Sequence, residues 1–164
     1  MKGYTKIVFL SAFGARVYIH WSALVVMGGM LAVSIRSPFL ALTVICSYFG
    51  IIYFHEVGHA YFAKRLGYRV YEIYLGFVHG LCLYEAPHNE KHECIIAWGG
   101  VAAQLAIAIP LIVASHVIPL ASIPGLGPVV SLLGYMSAMV AAINLAPSRG
   151  LDGEKAWRLI PILV

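Results

Sequence analysis

The sequence predicts an all-α polytopic membrane protein of about four transmembrane helices, with a short β-hairpin or β-strand insertion between helices two and three. The first observation is composition: 61% of the 164 residues are hydrophobic and 11% are charged, whereas soluble domains average about 25% charged residues. The second is the length of the uncharged stretches, since residues 94–148 contain no Asp, Glu, Lys or Arg. The third is the tyrosine-rich and polar character of residues 67–93. Lipid is therefore the predicted solvent of most of the chain.

Charge and cysteine patterns exclude other classes. The formal net charge is +4, but the eleven Lys and Arg residues are scattered and form no basic helix or aromatic-basic strip that would bind nucleic acid. Cys46, Cys82 and Cys94 form no CxxC pair and suggest no disulfide framework. Residues 1–16 mix charge with short apolar runs, unlike a cleavable signal peptide.

The first two helices are predicted from uncharged runs. Residues 17–35 carry no Asp, Glu, Lys or Arg, and at about 1.5 Å per residue they can cross a hydrocarbon core of roughly 30 Å. A short break follows at residues 36–38. The second helix is predicted at residues 39–63, interrupted only by two histidines and one glutamate.

The β-rich loop is predicted at residues 67–93. Its tyrosines, valines and isoleucines alternate roughly with other residues, which predicts one or two strands within residues 70–84. A turn is expected near residues 78–80.

The third and fourth helices are predicted at residues 95–117 and 129–145, because residues 94–148 are long enough for two crossings. A C-terminal segment, residues 146–164, follows, and residues 1–164 are expected to form a single membrane-embedded domain. The turn between the two helices is marked by Pro119, Pro124, Gly125, Gly127 and Pro128.

Positive charge predicts the orientation. Four crossings place ten of the eleven Lys and Arg residues on one side and only Arg36 on the other, so both termini are expected to be cytoplasmic. The ten are Lys2, Lys6, Arg16, Lys64, Arg65, Arg69, Lys91, Arg149, Lys155 and Arg158.

The HEVGH segment at residues 55–59 carries the chemical signal. On a helix, His55 and His59 lie one above the other and can bind one ion. Glu56 flanks that ion and can act as a general base toward water there. An acidic residue at a membrane-helix centre costs about 2.5–3.5 kcal/mol on insertion scales, which favours a functional role over simple packing.

A catalytic zinc site usually has three protein ligands, so one is missing from this motif. Asp152 is the foremost candidate, because it follows the fourth helix in NLAPSRGLDG, where proline and glycine can unwind backbone around a cavity. The remaining candidates are Glu72, Glu85, Glu90, Glu93, Glu154, His20, His79, His88 and His92.

The paired motifs resemble those of the site-2 protease family of intramembrane zinc metalloproteases. HEVGH at residues 55–59 matches that family's HExxH, and NLAPSRGLDG at residues 144–153 matches its NxxPxxxLDG. VYIHWSALVV at residues 17–26 and IAWGGVAAQ at residues 96–104 are similar to further family segments. Because no PDZ-like insertion is found, the resemblance is to minimal bacterial-type members.

The resemblance implies that His55, His59 and Asp152 bind one Zn²⁺ and that Glu56 activates water. It also implies that Asn144 contacts the substrate backbone or helps to stabilise the oxyanion. The sequence departs from the family pattern at Glu154, where many members have a second glycine, and at His79, where many have glycine. Neither departure affects a predicted ligand.

The implied function is an endopeptidase that cleaves transmembrane or membrane-associated peptides near the cytoplasmic face. Its setting would be a bacterial cytoplasmic membrane, and regulatory membrane partners or a homo-oligomer are compatible with the pattern. An alternative is a metal-binding membrane protein without protease activity, such as a carrier or an inactive scaffold.

Two local features keep alternative interpretations. His88, His92 and Cys94 are spaced so that they could bind a second metal, but a solvated loop before helix three is the simpler interpretation. The strands within residues 70–84 could bind an extended substrate by strand addition, or they could form a purely structural hairpin.

Overall fold

A computed structural model describes residues 2–34, 36–119, 123 and 126–163, and the side chains of residues 9, 33 and 163 lie outside this description. The described chain is mostly helical, with one small sheet. The predictions that fall on Ile35, Pro124, Gly125 and Val164 lie outside the described residues.

The elements in order are β1 Tyr4–Ala12, β2 Ala15–His20, α1 Trp21–Val33, α2 Pro38–Arg65, β3 Val70–Leu75, β4 Gly80–Tyr84, α3 Glu90–Val117, α4 Leu126–Val129, a π-helix Val130–Met136, α5 Ser137–Asn144, α6 Gly153–Ala156 and α7 Leu159–Leu163.

Three helices in the described part of the chain are long and apolar enough to cross a membrane. They are α2, α3 and the continuous helix Leu126–Asn144 that α4, the π-helix and α5 form together. The helix predicted at residues 17–35 is wrong in its first four residues, which belong to β2, and α1 has only 13 residues. A helix of that length rises about 20 Å, less than a hydrocarbon core of roughly 30 Å.

The error at residues 17–20 has a physical cause. Val17, Tyr18 and Ile19 are β-branched or aromatic, and strands on both sides pair with them. Hydropathy registers only that these residues are apolar, and it does not distinguish a buried strand from a helix.

The N-terminal hairpin β1–β2 was not predicted. Its strands are antiparallel, with Tyr4 opposite His20 and Ala12 opposite Ala15. The two residues between them, Phe13 and Gly14, both have positive φ, as a two-residue type I′ turn requires. The hairpin was missed because its turn pair is Phe-Gly, whereas pairs such as Asn-Gly are typical of this turn. Phenylalanine is uncommon in this conformation.

The sheet joins this hairpin to the loop between α2 and α3. Strand order is β1-β2-β3-β4, with β2 parallel to β3 and β3 antiparallel to β4. The strands β3 and β4 lie within the predicted residues 70–84, but they form half of a larger sheet rather than an isolated insertion. Strand β4 is an edge of the sheet as described.

The sheet packs on the C-terminal half of α2. Val17, Ile73 and Cys82 lie in one buried cluster with Ile52 and Ala60 of that helix. A sheet packed in this way holds β4 beside the HEVGH segment.

Helices α2 and α3 approach each other closely through Gly58 and Gly99. A Cβ added at Gly58 would collide with the Gly99 carbonyl, so only glycine permits this distance. The contact fixes the face of α3 that looks toward the two histidines.

Two helix boundaries differ from the prediction. Helix α3 begins at Glu90 rather than residue 95, because the Asn89 side chain accepts a hydrogen bond from the His92 backbone N–H at 2.8 Å and caps the helix. The helix predicted at residues 129–145 covers Leu126–Asn144 instead.

Candidate metal centre

His55 and His59 point the same way from consecutive turns of α2, as their spacing predicts. Their Nε2 atoms are 3.1 Å apart, and the rings meet edge to face. Both side chains are largely buried between α2 and α3.

Asp152 reaches the same point from the other end of the chain. Its Oδ2 lies 3.0 Å from His55 Nε2, and its Oδ1 lies 3.4 Å from His59 Nε2. The structure thus brings together the two motif histidines and the foremost candidate for a third ligand.

Glycines shape the segment that carries Asp152. Gly150 adopts a positive φ in the turn after α5. Gly153 lies so close to the carbonyls of Leu145 and Ala146 that any Cβ would collide with them. The LDG sequence therefore has a steric reason: the chain must fold back against the end of α5 to bring Asp152 inward.

The three side chains fit a tetrahedral zinc ion. Their ligand atoms all lie within 4.8 Å of one another, and zinc bonds of about 2.0–2.1 Å place tetrahedral ligands roughly 3.4 Å apart. Asp152 Oδ2 is buried and has no hydrogen-bond partner among the described residues, although His55 Nε2 is 3.0 Å away. A ring nitrogen and a buried carboxylate oxygen are expected to lie this close together where both point at a shared cation.

The outer nitrogens of both imidazoles are held by α3. His55 Nδ1 lies 3.1 Å from Gln104 Oε1, and His59 Nδ1 lies 2.8 Å from the Ile96 carbonyl oxygen. Both partner atoms are acceptors, so a neutral ring with its proton on Nδ1 would donate to them and present an unprotonated Nε2 to a cation. Metal-binding histidines are usually oriented in this way.

Gly100 closes the site from the α3 side. A Cβ at this position would lie 2.6 Å from both His55 Cε1 and His59 Nε2. The two rings therefore occupy the space that any other residue at position 100 would fill.

Glu56 is buried beside the histidines and faces the sheet. A Cβ at Gly80 would collide with the Glu56 side chain, so the first residue of β4 lies directly against this carboxyl group. The arrangement holds Glu56 next to the metal centre without making it part of the ligand cluster.

A cavity of about 710 Å³ opens onto these residues. Asn144, at the C-terminal end of α5, lines it together with Glu56 and Gln104. Met136 and Met139 give it an adaptable apolar wall. Its volume is typical of cavities that bind ligands.

Burial and the neighbouring imidazoles shift the pKa of Asp152 in opposite directions. Burial raises the pKa of its carboxyl group, but the imidazoles of His55 and His59 outweigh burial and hold the pKa well below its usual range. The carboxylate is therefore ionised at neutral pH, as a metal ligand must be.

Most of the other candidate ligands have different partners. Glu72 pairs with Arg16, Glu85 accepts from the Arg69 backbone, and Glu154 accepts from the Gly150 backbone. Glu93 and Glu90 pair with Lys155 and Arg158, and His20 caps α1. His79 lines the cavity but is not part of the ligand cluster.

His88 and His92 pack around Tyr68. The Tyr68 hydroxyl is 2.8 Å from His92 Nδ1 and accepts from the His88 backbone N–H at 2.9 Å. Among the described residues these histidines and Cys94 form no second ligand cluster.

Sequence reasoning noted the segment at residues 96–104 but gave no role to the residues in it that support the candidate ligands. Gln104, Gly100 and the Ile96 carbonyl all lie on α3, far from the two motifs. The available signal was Gln104 itself, a polar residue with two glycines nearby in an otherwise uncharged helix.

Comparisons with known proteins identify a solved structure with a similar fold and two relatives. No protein-family model matches the chain. The solved structure titled "Site-2 Protease from Methanocaldococcus jannaschii" has a TM-score of 0.70 and 24% sequence identity, covering 96% of this chain and 71% of that one. The fold of this chain is therefore the site-2 protease fold.

Two curated relatives are similar in sequence. "Putative zinc metalloprotease sll0528" of Synechocystis is 31% identical over 113 residues, and "Zinc metalloprotease MJ0392" of Methanocaldococcus jannaschii is 28% identical over 130 residues. The alignments cover 68% and 79% of this chain but only 29% and 37% of those relatives.

These findings confirm the resemblance that the paired motifs predicted. The chain is an integral membrane protein related to proteins named zinc metalloproteases, and it shares the fold of a solved site-2 protease.

Proposed function

We propose that this chain is an intramembrane zinc endopeptidase that hydrolyses peptide bonds in transmembrane or membrane-associated substrates. The observation that carries the proposal is the convergence of His55, His59 and Asp152 beside a buried Glu56. The cavity at this point is large enough for an extended segment of peptide. The names of the relatives support the same chemistry.

His55, His59 and Asp152 would hold one Zn²⁺ per chain. When bound, the ion would lower the pKa of a water molecule and polarise the scissile carbonyl group. Two neutral imidazoles and one carboxylate match the donor set of catalytic zinc sites.

Glu56 would move the proton. Its carboxylate takes a proton from the attacking water as the new C–O bond forms at the peptide carbonyl carbon. The same carboxyl group then gives the proton to the amine nitrogen as the C–N bond breaks. Asn144 lines the cavity and would contact the substrate backbone or the developing oxyanion.

The edge strand β4 offers a way to hold an unwound substrate. A helical peptide bond is shielded by its own hydrogen bonds, so a substrate must be extended before cleavage. Cys82 and Tyr84 of β4 line the cavity, and β3 is the strand that pairs with β4 in the described sheet. An extended peptide could add to the free edge beside Glu56.

Cleavage near the cytoplasmic face follows from the proposed orientation. The sheet ties residues 4–20 to residues 70–84, which supports a common side for the N-terminus and the loop. Ten of the eleven Lys and Arg residues lie within residues 2–16, 64–91 and 149–158, which the proposed orientation puts on this side.

The deciding experiment compares wild type with Glu56→Gln. We expect about one zinc per chain in both purified proteins and cleavage of a membrane-peptide substrate by the wild type alone. Asp152→Ala should lose zinc, whereas the matched control Glu85→Ala should keep it, because Glu85 bonds to the Arg69 backbone instead. Equal cleavage by wild type and Glu56→Gln would refute the mechanism.

A further inference from the structure

Gln104 is a buried amide on the α3 face that looks toward the metal centre. It is 1% exposed and follows Gly100 by four residues, so the two residues share one helix face. Gly100 contacts the imidazoles of His55 and His59 on that face.

One end of this amide faces His55. Gln104 Oε1 lies 3.1 Å from His55 Nδ1. His55 Nε2 is the nitrogen that approaches Asp152, so Nδ1 must carry the proton if Nε2 is to bind a cation. A protonated Nδ1 needs an acceptor, which fixes the amide with its oxygen toward the ring and its NH₂ group away from it.

The other end of the amide is left without a partner. Gln104 Nε2 is buried and has no hydrogen-bond partner among the described residues. A buried donor without a partner is destabilising, so a residue needed only for packing would be better replaced by an apolar one. Gln104 lines the cavity together with Glu56 and Asn144, where a bound peptide would supply carbonyl oxygens.

We propose that Gln104 serves both the metal centre and the substrate. Its Oε1 positions His55 with Nε2 toward the metal, and its NH₂ group donates a hydrogen bond to a peptide carbonyl oxygen in the cavity. The second role rests on the proposed function, whereas the first concerns metal binding alone.

Two variants separate these roles. Gln104→Met keeps the approximate length of the side chain but removes both the acceptor and the donor. Gln104→Glu keeps an acceptor for His55 Nδ1 and removes the donor. Ser115→Ala is the matched control, since Ser115 lies on the same helix and bonds to the Ile112 carbonyl.

Zinc affinity tests the positioning role. The dissociation constant would be measured by competition with a chelator, in full-length protein in detergent micelles. We expect Gln104→Met to weaken zinc binding about 10- to 100-fold, and Gln104→Glu and Ser115→Ala to bind at least about as tightly as wild type. Wild-type zinc affinity in Gln104→Met would overturn this role, and so would equal weakening in Gln104→Met and a folded Gln104→Glu.

Peptide cleavage at saturating zinc tests the donor role. We expect kcat/KM to fall roughly tenfold or more in Gln104→Glu, with Ser115→Ala unchanged. Peptide binding to the zinc-saturated Glu56→Gln protein should weaken by a similar factor when Gln104→Glu is added. Unchanged kcat/KM and unchanged peptide binding in Gln104→Glu would overturn the donor role.

The outcomes also separate this proposal from the proposed function. A wild-type protein that binds zinc but cleaves no peptide would refute the endopeptidase, and the zinc measurements on Gln104→Met would still decide the positioning role.

Discussion

Gly100 and Gly153 show how single residues without functional groups control this site. Gly100 makes room for two imidazoles, and Gly153 lets the chain fold back against α5. Neither residue can bind a metal or move a proton, yet each decides whether a ligand reaches its place. The candidate ligands could be predicted from the two motifs and the family resemblance that they carry, whereas this supporting role could not.

Gly100→Ala should therefore weaken zinc binding. The added methyl would lie 2.6 Å from His55 Cε1 and His59 Nε2, so at least one ring must move. Alanine favours a helix over glycine by roughly 0.5–1 kcal/mol, so local folding of α3 should not suffer. We expect at least a tenfold rise in the zinc dissociation constant, measured by chelator competition.

The control for this substitution is Gly28→Ala. Gly28 has open space where its Cβ would lie, and zinc affinity should stay at the wild-type value. A Gly100→Ala protein that binds zinc as tightly as wild type would contradict the steric argument.

At the scale of elements, α3 contacts both the two histidines and the C-terminal segment that carries Asp152. Its first turns hold the C-terminal segment: Trp98 Nε1 donates to the Ala156 carbonyl oxygen at 3.0 Å, and its ring meets Trp157 edge to face. The Lys155–Glu93 ion pair, at 2.8 Å, adds to this contact, but both side chains are partly exposed and the pair contributes at most about 1 kcal/mol. Asp152 depends on these contacts because it lies at the start of the segment.

Trp98→Phe should loosen that segment. The substitution removes the hydrogen bond to Ala156, at a cost of about 0.5–1.5 kcal/mol, while keeping an aromatic ring. We expect a lower thermal midpoint and a several-fold weaker zinc affinity. Trp21→Phe is the control, because Trp21 is exposed and lies on α1 rather than on α3 or the C-terminal segment. Unchanged zinc affinity in Trp98→Phe would show that the segment holds Asp152 without this anchor.

The sheet carries its own polar cluster outside the spanning helices. Tyr74 donates to Glu72, which also pairs with Arg16 at 3.0 Å. The hydrogen bond to Glu72 is the main cause that raises the pKa of Tyr74 to about 12, and the same bond is the main cause that lowers the pKa of Glu72.

This cluster predicts a pH window for stability. The unfolded pKa is about 10 for Tyr and about 4.3 for Glu. Because the folded pKa of Tyr74 is raised, its contribution is complete below pH about 10 and is lost as pH rises through about 12. Because the folded pKa of Glu72 is lowered, its contribution is present above pH about 4.3 and is lost as pH falls through the folded value.

Tyr74→Phe tests this window. We expect the variant to have a lower thermal midpoint than wild type. The difference should be constant between about pH 6 and 9, inside the window, and should shrink at higher pH. Tyr71→Phe, an exposed neighbour on β3, should show no such pattern. A difference that persists unchanged above the folded pKa of Tyr74 would contradict the role of this bond.

At the scale of the whole molecule, the sheet explains why α1 is short. Gly80 of β4 lies against Glu56, well inside α2, so the sheet sits at the level of the metal centre. Strand β2 belongs to that sheet and leads directly into α1. We therefore predict that the strand and the 13-residue helix together cross the membrane in place of one longer helix.

This geometry predicts a topology that labelling can test. In a cysteine-free background, Lys2→Cys and Arg158→Cys should react with a membrane-impermeant maleimide from the cytoplasmic side of sealed vesicles. Arg36→Cys should react from the opposite side only. Reaction of Lys2→Cys and Arg36→Cys from the same side would show that β2 and α1 do not cross.

The sequence by itself predicted the helices and half of the site. Composition and uncharged runs were enough to predict a mostly helical membrane protein, and the spacing of His55 and His59 was enough to pair them, because hydropathy and helical spacing are local properties. Asp152 was the foremost of several candidates, and the resemblance of the paired motifs to the site-2 protease family added it to the predicted ligand set.

Only the tertiary structure decided how the site is supported. It placed residues 17–20 in a strand rather than a helix, joined the N-terminal hairpin to β3, and set Gln104, Gly100 and Ile96 around the histidines. These are contacts between residues about 40 or more positions apart, or between elements that the sequence separates. Their formation depends on which faces pack together, and no local pattern of residues specifies that.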